Sequence, residues 1–106
     1  MRSTAYSITI TDEAKEDLTN YINYIAFQYQ EYFAIQRIIE DYYEALQSLR
    51  TAGEIHNVCN FPKAKELSIR KIRLKRYKFY LFYEIHGDTI VVTHGYHAIQ
   101  NYQELL

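Results

Sequence analysis

Positive charge and aromatic rings are concentrated in one segment of the sequence, "SIRKIRLKRYKFYLFYEI", which occupies residues 68–85. Its 18 positions contain six Lys or Arg and five Tyr or Phe side chains, in a chain whose formal net charge is −1. Lys and Arg bind phosphates through charge, and aromatic rings stack on unpaired bases. Single-stranded RNA is the ligand that uses both kinds of side chain, although a solvated strand face with tyrosines as strand formers gives the same pattern.

Three residues near the C-terminal end have side chains suited to proton transfer or to holding a nucleotide. His94 and His97 exchange protons near neutral pH, and Tyr102 follows His97 by five positions. The two histidines are three positions apart, which places them on opposite faces of a strand, and neither a cysteine pair nor a carboxylate cluster accompanies them. We therefore expect no metal site. We also expect no cofactor, because the sequence has three glycines and no glycine-rich phosphate loop.

Length and composition limit the kind of protein that carries these residues. A chain of 106 residues, 48% hydrophobic and 24% charged, is expected to fold as one domain spanning residues 1–106. The single cysteine, Cys59, excludes an intrachain disulfide, and the sequence has neither a signal peptide nor an apolar run of about 20 residues. These features favour the cytoplasm and argue against a membrane partner.

The charge is divided unequally between the two halves of the chain. Residues 1–54 carry nine acidic and four basic side chains (−5), and residues 55–106 carry four acidic and eight basic ones (+4). All eight bases of the second half lie between Lys63 and Lys78. Such asymmetry suggests an anionic partner for one face, either nucleic acid or an acidic protein segment.

Hydrophobic spacing predicts a strand followed by two helices. "YSITI" alternates as a short strand does, and Thr11 is a candidate N-cap for the helix that follows. Apolar residues then recur at intervals of three and four, first as far as Tyr29 and again from Ile35 to Leu49. Two long helices with no room for a long loop between them form an antiparallel hairpin.

The second half of the chain is predicted to be a meander of strands. Residues 71–75 alternate apolar with basic side chains, and residues 78–85 alternate Phe79, Leu81, Tyr83 and Ile85 with the residues between them. After "HGD" as a turn, "TIVVTH" (residues 89–94) is a third β-rich run. The element order is therefore β-α-α-β-β-β, an α+β fold in which the helical hairpin packs on one face of a small, mainly antiparallel sheet. The segment "IQNYQELL" is compatible with a short C-terminal helix.

Alternation along the strands separates a buried face from an open one. The residues expected beneath the hairpin are Ile72, Leu74, Phe79, Leu81 and Tyr83. The alternate residues then point to the opposite face. Those residues are Lys71, Arg73, Lys75, Lys78, Tyr80 and Phe82. The prediction is an open sheet face that is both basic and aromatic.

Four segments of the chain, taken in order, form a series of individually weak motifs. They are "YSITITDEAKEDLTNYINYIA", "EALQSL", "IRKIRLKRYKFYLFYEI" and "GDTIVVTHGYHAIQNY". Together they resemble the RelE/ParE superfamily of toxins from bacterial and archaeal type II toxin–antitoxin systems, and the likeness covers nearly the whole chain. The resemblance implies a small cytoplasmic toxin that is neutralised by a cognate antitoxin protein wrapped around its basic face.

The resemblance implies one of two activities. RelE-like members enter the ribosomal A site and cut mRNA by attack of the neighbouring ribose 2′-hydroxyl on the phosphodiester, whereas ParE-like members bind DNA gyrase and stall replication. The basic, aromatic face and the spacing of His97 and Tyr102 favour the first activity, a ribosome-dependent endoribonuclease (mRNA interferase) that inhibits translation. The alternatives are a gyrase inhibitor and a catalytically inert relative that only binds its antitoxin.

The chain departs from the RelE pattern at both family arginines. RelE-like sequences often carry an arginine three positions before the tyrosine that corresponds to Tyr83, and here that residue is Tyr80. They often end in His-Arg followed by a tyrosine five positions after the histidine. His97 and Tyr102 keep this spacing, but the arginine position is Ala98. These departures weaken the expected stabilisation of the transition-state phosphate.

A nuclease would therefore depend on substitutes for the two arginines. The predicted catalytic residues are Arg73 to neutralise the phosphate, His97 to exchange protons and Tyr102 to orient the nucleotide. The predicted RNA-binding residues are Arg70, Lys71, Lys75, Lys78, Tyr80 and Phe82. If this assignment holds, replacing Lys71, Arg73 and Lys75 together by alanine abolishes toxicity and leaves the fold intact.

The helical hairpin bears on the choice between the two toxin classes. Its aromatic residues are more numerous than one buried face can hold, and they are Tyr21, Tyr24, Phe27, Tyr29, Tyr32 and Phe33. Rings exposed around the hairpin tip would form a protein-binding surface, which suits a gyrase inhibitor. The alternative is that these rings fill the core of the hairpin itself.

Overall fold

Two long helices pack on a four-stranded sheet in the computed structural model, which describes residues 5–30, 32–56, 58–60 and 62–97. The helices are α1 (Asp12–Tyr29), α2 (Tyr32–Ala52) and the short α3 (Pro62–Leu67), and the strands are β1 (Ser7–Ile10), β2 (Arg70–Arg73), β3 (Phe79–His86) and β4 (Thr89–His97). The α+β class and the predicted order are confirmed, with α3 as an unpredicted addition. The segment "IQNYQELL" lies outside the described residues. Among the described residues, no helix is long and apolar enough to cross a membrane.

The helical hairpin begins and turns at residues with defined capping roles. Thr11 is the N-cap of α1, as predicted, because its Oγ1 accepts a hydrogen bond from the backbone N–H of Ala14 at 3.1 Å. Asp12 places negative charge at the positive end of the helix dipole. The helix ends at Gln30, whose left-handed backbone (φ 54°) lets its N–H donate to the carbonyl oxygen of Ala26 at 2.9 Å. The chain then reverses into α2.

The strand order in the sheet is β1-β4-β3-β2, and only β1 and β4 are parallel. The prediction of a mainly antiparallel sheet is therefore confirmed. A bulge interrupts the pairing of β3 with β4: Phe82 is opposite His94, whereas the next residue, Tyr83, is opposite Val92. Thr93 is thus an extra residue in β4, and it shifts the alternation of every residue that follows it.

The main core lies between the sheet and the long helices. The sheet residues predicted to lie beneath the hairpin are all found there, namely Ile72, Leu74, Phe79, Leu81 and Tyr83. Tyr83 is fully buried, and its hydroxyl donates to the carbonyl oxygen of Gly53 at 2.7 Å. Burial raises the pKa of this hydroxyl above its ordinary value. The buried polar group is therefore satisfied within the core.

The opposite face of the sheet is covered in its middle by a second, smaller core. This cluster consists of Cys59, Ala64, Ile69, Phe82 and Tyr96, with Tyr80 packed against it. Phe82 is 0% exposed, so the prediction that its ring lies on an open face is wrong. The reason is that α3, together with Cys59 and Ile69, packs over this part of the sheet, which strict alternation predicts to be open.

The loop between β2 and β3 is held against α2 by a buried carboxylate. Asp41 is 1% exposed and accepts hydrogen bonds from the backbone N–H and the Nε of Arg76, at 2.7 and 2.9 Å. The same guanidinium donates to Glu40 Oε1 at 3.1 Å and to the carbonyl oxygen of Arg37 at 3.2 Å. The bonds to Asp41 and then to Glu40 raise the pKa of Arg76. One arginine thus joins the loop to the second long helix.

Residues of α1 and its N-cap form hydrogen bonds with the backbone groups at the edge of β4, beyond the end of β1. The pairing of β1 with β4 stops at Val92. The backbone N–H of Thr11 then donates to the carbonyl oxygen of Val92 at 3.0 Å, and its Oγ1 donates to that of Thr93 at 2.9 Å. Further along, the N–H of Gly95 donates to Asp17 Oδ2 at 2.9 Å. Thr11 and Asp17 thus occupy the hydrogen-bonding groups of β4 where strand pairing ends, which prevents this edge from pairing with other strands.

Candidate functional site

The two predicted catalytic residues that the structure describes lie on opposite faces of the sheet. Arg73 is exposed at the end of edge strand β2, in register with Tyr80 on the face away from the long helices. Its Nε donates to the carbonyl oxygen of Tyr77 at 3.4 Å. His97 is opposite Phe79, on the face that packs against α1, and β3 separates the two strands. Tyr102 lies outside the described residues.

The predicted RNA-binding residues are likewise dispersed. Arg70 is in register with Tyr83 on the helix side, and its Nη1 donates to the carbonyl oxygens of Glu54 and His56. Arg70 therefore holds the segment that follows α2 to β2 and does not belong to the outer face. Lys75 Nζ lies 4.0 Å from Glu44 Oε1 of α2.

A small part of the predicted basic surface remains on the outer face. Lys71 Nζ lies 4.9 Å from the centroid of the Tyr80 ring, which is a cation–π contact. Arg73 is on β2 with Lys71, and the exposed Lys78 is in the loop just before β3, two residues from Tyr80. Phe82 contributes to the buried cluster beneath them and cannot stack on a base while it is covered.

A cleft between α1 and β4 brings together residues that are far apart in the sequence. It has a volume of about 150 Å³ and is lined by Asp17, Asn20, Tyr21, Tyr24, Phe79, Gly95 and His97. The residues from α1 are three or four positions apart, so they share one helix face. This spacing is a usable signal, but the β4 side of the cleft follows only from the bulge at Thr93. We call this feature the α1/β4 cleft.

Four rings of the α1/β4 cleft stack in one column. The ring centroids of Phe79 and Tyr21 are 4.6 Å apart, those of Tyr21 and His97 5.9 Å, and those of His97 and Tyr24 5.6 Å, with interplanar angles of 27°, 29° and 8°. Glycine at position 95 makes room for the column, because a Cβ there would lie 2.4 Å from Phe79 Cζ. The cleft therefore has an aromatic wall fixed by packing.

The polar groups of the cleft include the carboxylate of Asp17, the imidazole of His97 and the amide of Asn20. Asp17 Oδ2 accepts the hydrogen bond from the backbone of Gly95 and lies 3.8 Å from His94 Nδ1. Burial among the rings lowers the pKa of His97, because it removes water from the imidazolium form. His97 is therefore neutral at pH 7, and the carboxylate of Asp17 gives the cleft its charge.

We expect NMR titration to find the His97 imidazole below its ordinary pKa of 6.5. Replacing Tyr24 by alanine uncovers the imidazole and is expected to raise its pKa towards that value. Between the two pKa values the unfolded chain binds more protons than the folded one, so the contribution of His97 to stability is lost as the pH falls through this interval. The His97→Asn variant assigns the signal. An unchanged pKa of His97 in Tyr24→Ala would contradict the inference that Tyr24 keeps water from the imidazole.

The tip of the helical hairpin exposes large aromatic side chains. The exposed fractions are 87% for Phe27, 72% for Tyr32 and 60% for Phe33, and we call these three residues the hairpin-tip surface. A groove of about 330 Å³ lies beside them, lined by Asn23, Ala26, Phe27 and Tyr32. Glu31 is the only charged residue in the sequence between positions 18 and 36. The prediction that aromatic residues of the hairpin are exposed is confirmed, and their surroundings carry little charge.

Metal ligands are not grouped in the described part of the chain, where no three His, Cys, Asp or Glu side chains form a cluster that could hold an ion. The histidines predicted to lie apart do so: His94 is on the outer face, in register with Phe82, and His97 is in the α1/β4 cleft.

Comparison with known proteins adds a family to this description. Residues 8–102 match the model of a family described as "ParE toxin of type II toxin-antitoxin system, parDE". Among solved structures, the fold is similar to one titled "Chromosomal ParDE TA system from P. aeruginosa", with a TM-score of 0.71, 16% sequence identity, and coverage of 88% of this chain and 96% of that chain. No curated protein sequence matches this chain significantly.

Proposed function

Because the chain belongs to the ParE toxin family of type II toxin–antitoxin systems, we propose that it stops growth by binding DNA gyrase and blocking replication. A toxin of such a system has an antitoxin protein as its partner. The observation that carries the proposal is the hairpin-tip surface, where three aromatic rings are exposed in surroundings with little charge. Exposed aromatic residues are typical anchors of protein–protein interfaces.

The charge of the hairpin tip supports a protein target over a nucleic acid. Phosphate binding requires Lys or Arg near the ligand. Arg37 is the cation of α2 that approaches the hairpin-tip surface, and its guanidinium already lies 5.0 Å from the centroid of the Phe33 ring. An uncharged aromatic surface gains more from burial against an apolar protein surface than from contact with phosphate.

Ribosome-dependent cleavage of mRNA is the second candidate. The contact of Lys71 with Tyr80, beside the exposed Arg73, favours it as a phosphate and base platform. The separation of Arg73 from His97 disfavours it, because one phosphate must contact both the cation and the proton donor. A gyrase inhibitor needs no such convergence, so the geometry supports it better.

The two candidates make opposite predictions for two matched variants. We expect the Phe27→Ser, Phe33→Ser variant to lose toxicity and to bind purified gyrase about 100-fold more weakly, which corresponds to about 1.4 kcal/mol from each anchor. The variant in which Lys71, Arg73 and Lys75 are alanine is expected to remain toxic. Both variants alter exposed or half-buried side chains, and circular dichroism should show folded proteins.

Pulse labelling of DNA and protein synthesis after induction without antitoxin tests the proposal in cells. The expected result is that DNA synthesis fails first while protein synthesis continues. If translation fails first, mRNA ends appear inside codons and the variant with alanine at Lys71, Arg73 and Lys75 is not toxic, the target is the ribosome and not gyrase. Growth that continues while folded protein accumulates would identify an inert antitoxin-binding relative.

A further inference from the structure

We propose that the α1/β4 cleft is a binding site for a guanidinium group, supplied by an arginine side chain of a partner protein. Its volume of about 150 Å³ suits the end of one long side chain. The site is defined by the carboxylate of Asp17 and by the faces and edges of the ring column that includes Tyr24 and His97. It is separate from the hairpin-tip surface and does not depend on the gyrase proposal.

The carboxylate has an oxygen available for a ligand. Asp17 Oδ2 accepts the hydrogen bond from Gly95, which fixes the orientation of the side chain. Its second oxygen, Oδ1, has no hydrogen-bond partner among the described residues. A carboxylate held in place at one oxygen offers the other to a planar donor, and guanidinium is the side-chain group that pairs with carboxylates in this planar manner.

The aromatic wall selects the same chemistry. Tyr24 is 42% exposed and its ring is stacked on His97, so the column presents aromatic surface at the mouth of the cleft. A guanidinium can lie against an aromatic ring and donate to a carboxylate at once, which a compact ammonium group does less well. The neutral imidazole of His97 adds no repulsion to a cation.

The surrounding charge disfavours a nucleotide in the cleft. None of the lining residues is Lys or Arg. Glu13 precedes Asp17 by one helical turn, and Glu16 is its neighbour in sequence, so this part of α1 is negative. Aromatic rings alone would accept a base, but the phosphate that accompanies it would meet these carboxylates.

None of the basic side chains that the structure describes lines the cleft, so we assign the cation to another molecule. Residues 98–106, which follow His97 directly, contain neither Lys nor Arg. The basic side chains of the second half lie between Lys63 and Lys78, on α3, β2 and the loop before β3. A partner that crosses α1 and the end of β4 is therefore expected to place an arginine here.

Titration of the ¹⁵N-labelled protein with N-acetyl-arginine amide tests the site directly. The chain has three glycines, so their amide signals are easily resolved, and Gly95 donates its N–H to the carboxylate in question. We expect the Gly95 signal to shift and saturate at about millimolar ligand. The signals of Gly53 and Gly87, which lie elsewhere, should not move.

Matched ligands and variants separate specific binding from general attraction. N-acetyl-citrulline amide has the same shape without the charge and should leave Gly95 unshifted, and the lysine analogue should bind more weakly. Asp17→Asn keeps an acceptor for Gly95 and is expected to weaken arginine binding at least tenfold, and Tyr24→Leu about threefold. Glu16→Gln removes an equal charge outside the cleft and should have little effect.

Three results would overturn the proposal. Equal binding of the citrulline and arginine ligands would show that charge is not recognised. An equal loss of affinity for the arginine ligand in Glu16→Gln and Asp17→Asn would show that only the overall negative charge of the helix attracts the cation. A Gly95 shift with uridine monophosphate but not with arginine would assign the cleft to a nucleotide.

Discussion

Replacing Phe82 by alanine is expected to lower the free energy of unfolding by about 3–5 kcal/mol, because its ring is fully enclosed. The ring lies edge-on to Tyr96, with centroids 5.4 Å apart, and packs with Ala64 of α3 and Ile69. Removing it leaves a cavity between α3 and the sheet, which the short helix cannot collapse to fill. Urea denaturation followed by circular dichroism measures the loss.

The neighbouring residue on the same face provides the control. Tyr80 is only partly buried, so Tyr80→Ala is expected to cost less than about 2 kcal/mol. A Phe82→Ala protein as stable as the parent would mean that the ring is accessible, as strict alternation along β3 had predicted. It would also restore Phe82 as a candidate for base stacking.

Asp41→Ala is expected to destabilise the fold by about 3 kcal/mol. The variant removes two charge-assisted hydrogen bonds and leaves the backbone N–H of Arg76 without its acceptor. The loop between β2 and β3 then loses its attachment to α2. Thermal and urea unfolding measure the change in stability, and faster amide exchange at Arg76 would locate it in this loop.

Glu40 tests whether burial, and not charge alone, decides the effect. It binds the same guanidinium at 3.1 Å but is 54% exposed, so Glu40→Ala is expected to cost less than about 1 kcal/mol. Similar losses for Glu40→Ala and Asp41→Ala would contradict the assignment of Asp41 as the attachment point. Asp41→Asn should fall between the two, since an amide oxygen can still accept from the backbone of Arg76.

The sequence predicted the long helices and the main core because both depend on sustained periodicity. It failed for Phe82 because alternation defines two faces of a strand and does not say which face is covered. The covering helix α3 has six residues, which is too short to produce a helical pattern. The same alternation places Arg70 on the helix side, away from the basic residues Lys71 and Arg73 of the outer face.

The separation of the predicted catalytic residues has a single local cause. If side chains alternated strictly along β4 from the buried Val92, His97 would point to the outer face, where Lys71 and Arg73 lie. The extra residue Thr93 reverses this phase, so Gly95 and His97 face α1 instead. One-residue bulges leave no clear mark in a single sequence, and the α1/β4 cleft therefore could not be predicted.

The parallel pairing of β1 with β4 makes completion of the sheet a late step of folding. Residues 7–10 find their strand partners only at residues 89–92, so almost the whole chain must be made before the sheet can close. β1 therefore remains without its strand partner while the helices and the first strands of the meander are made, and the sheet is completed late in folding.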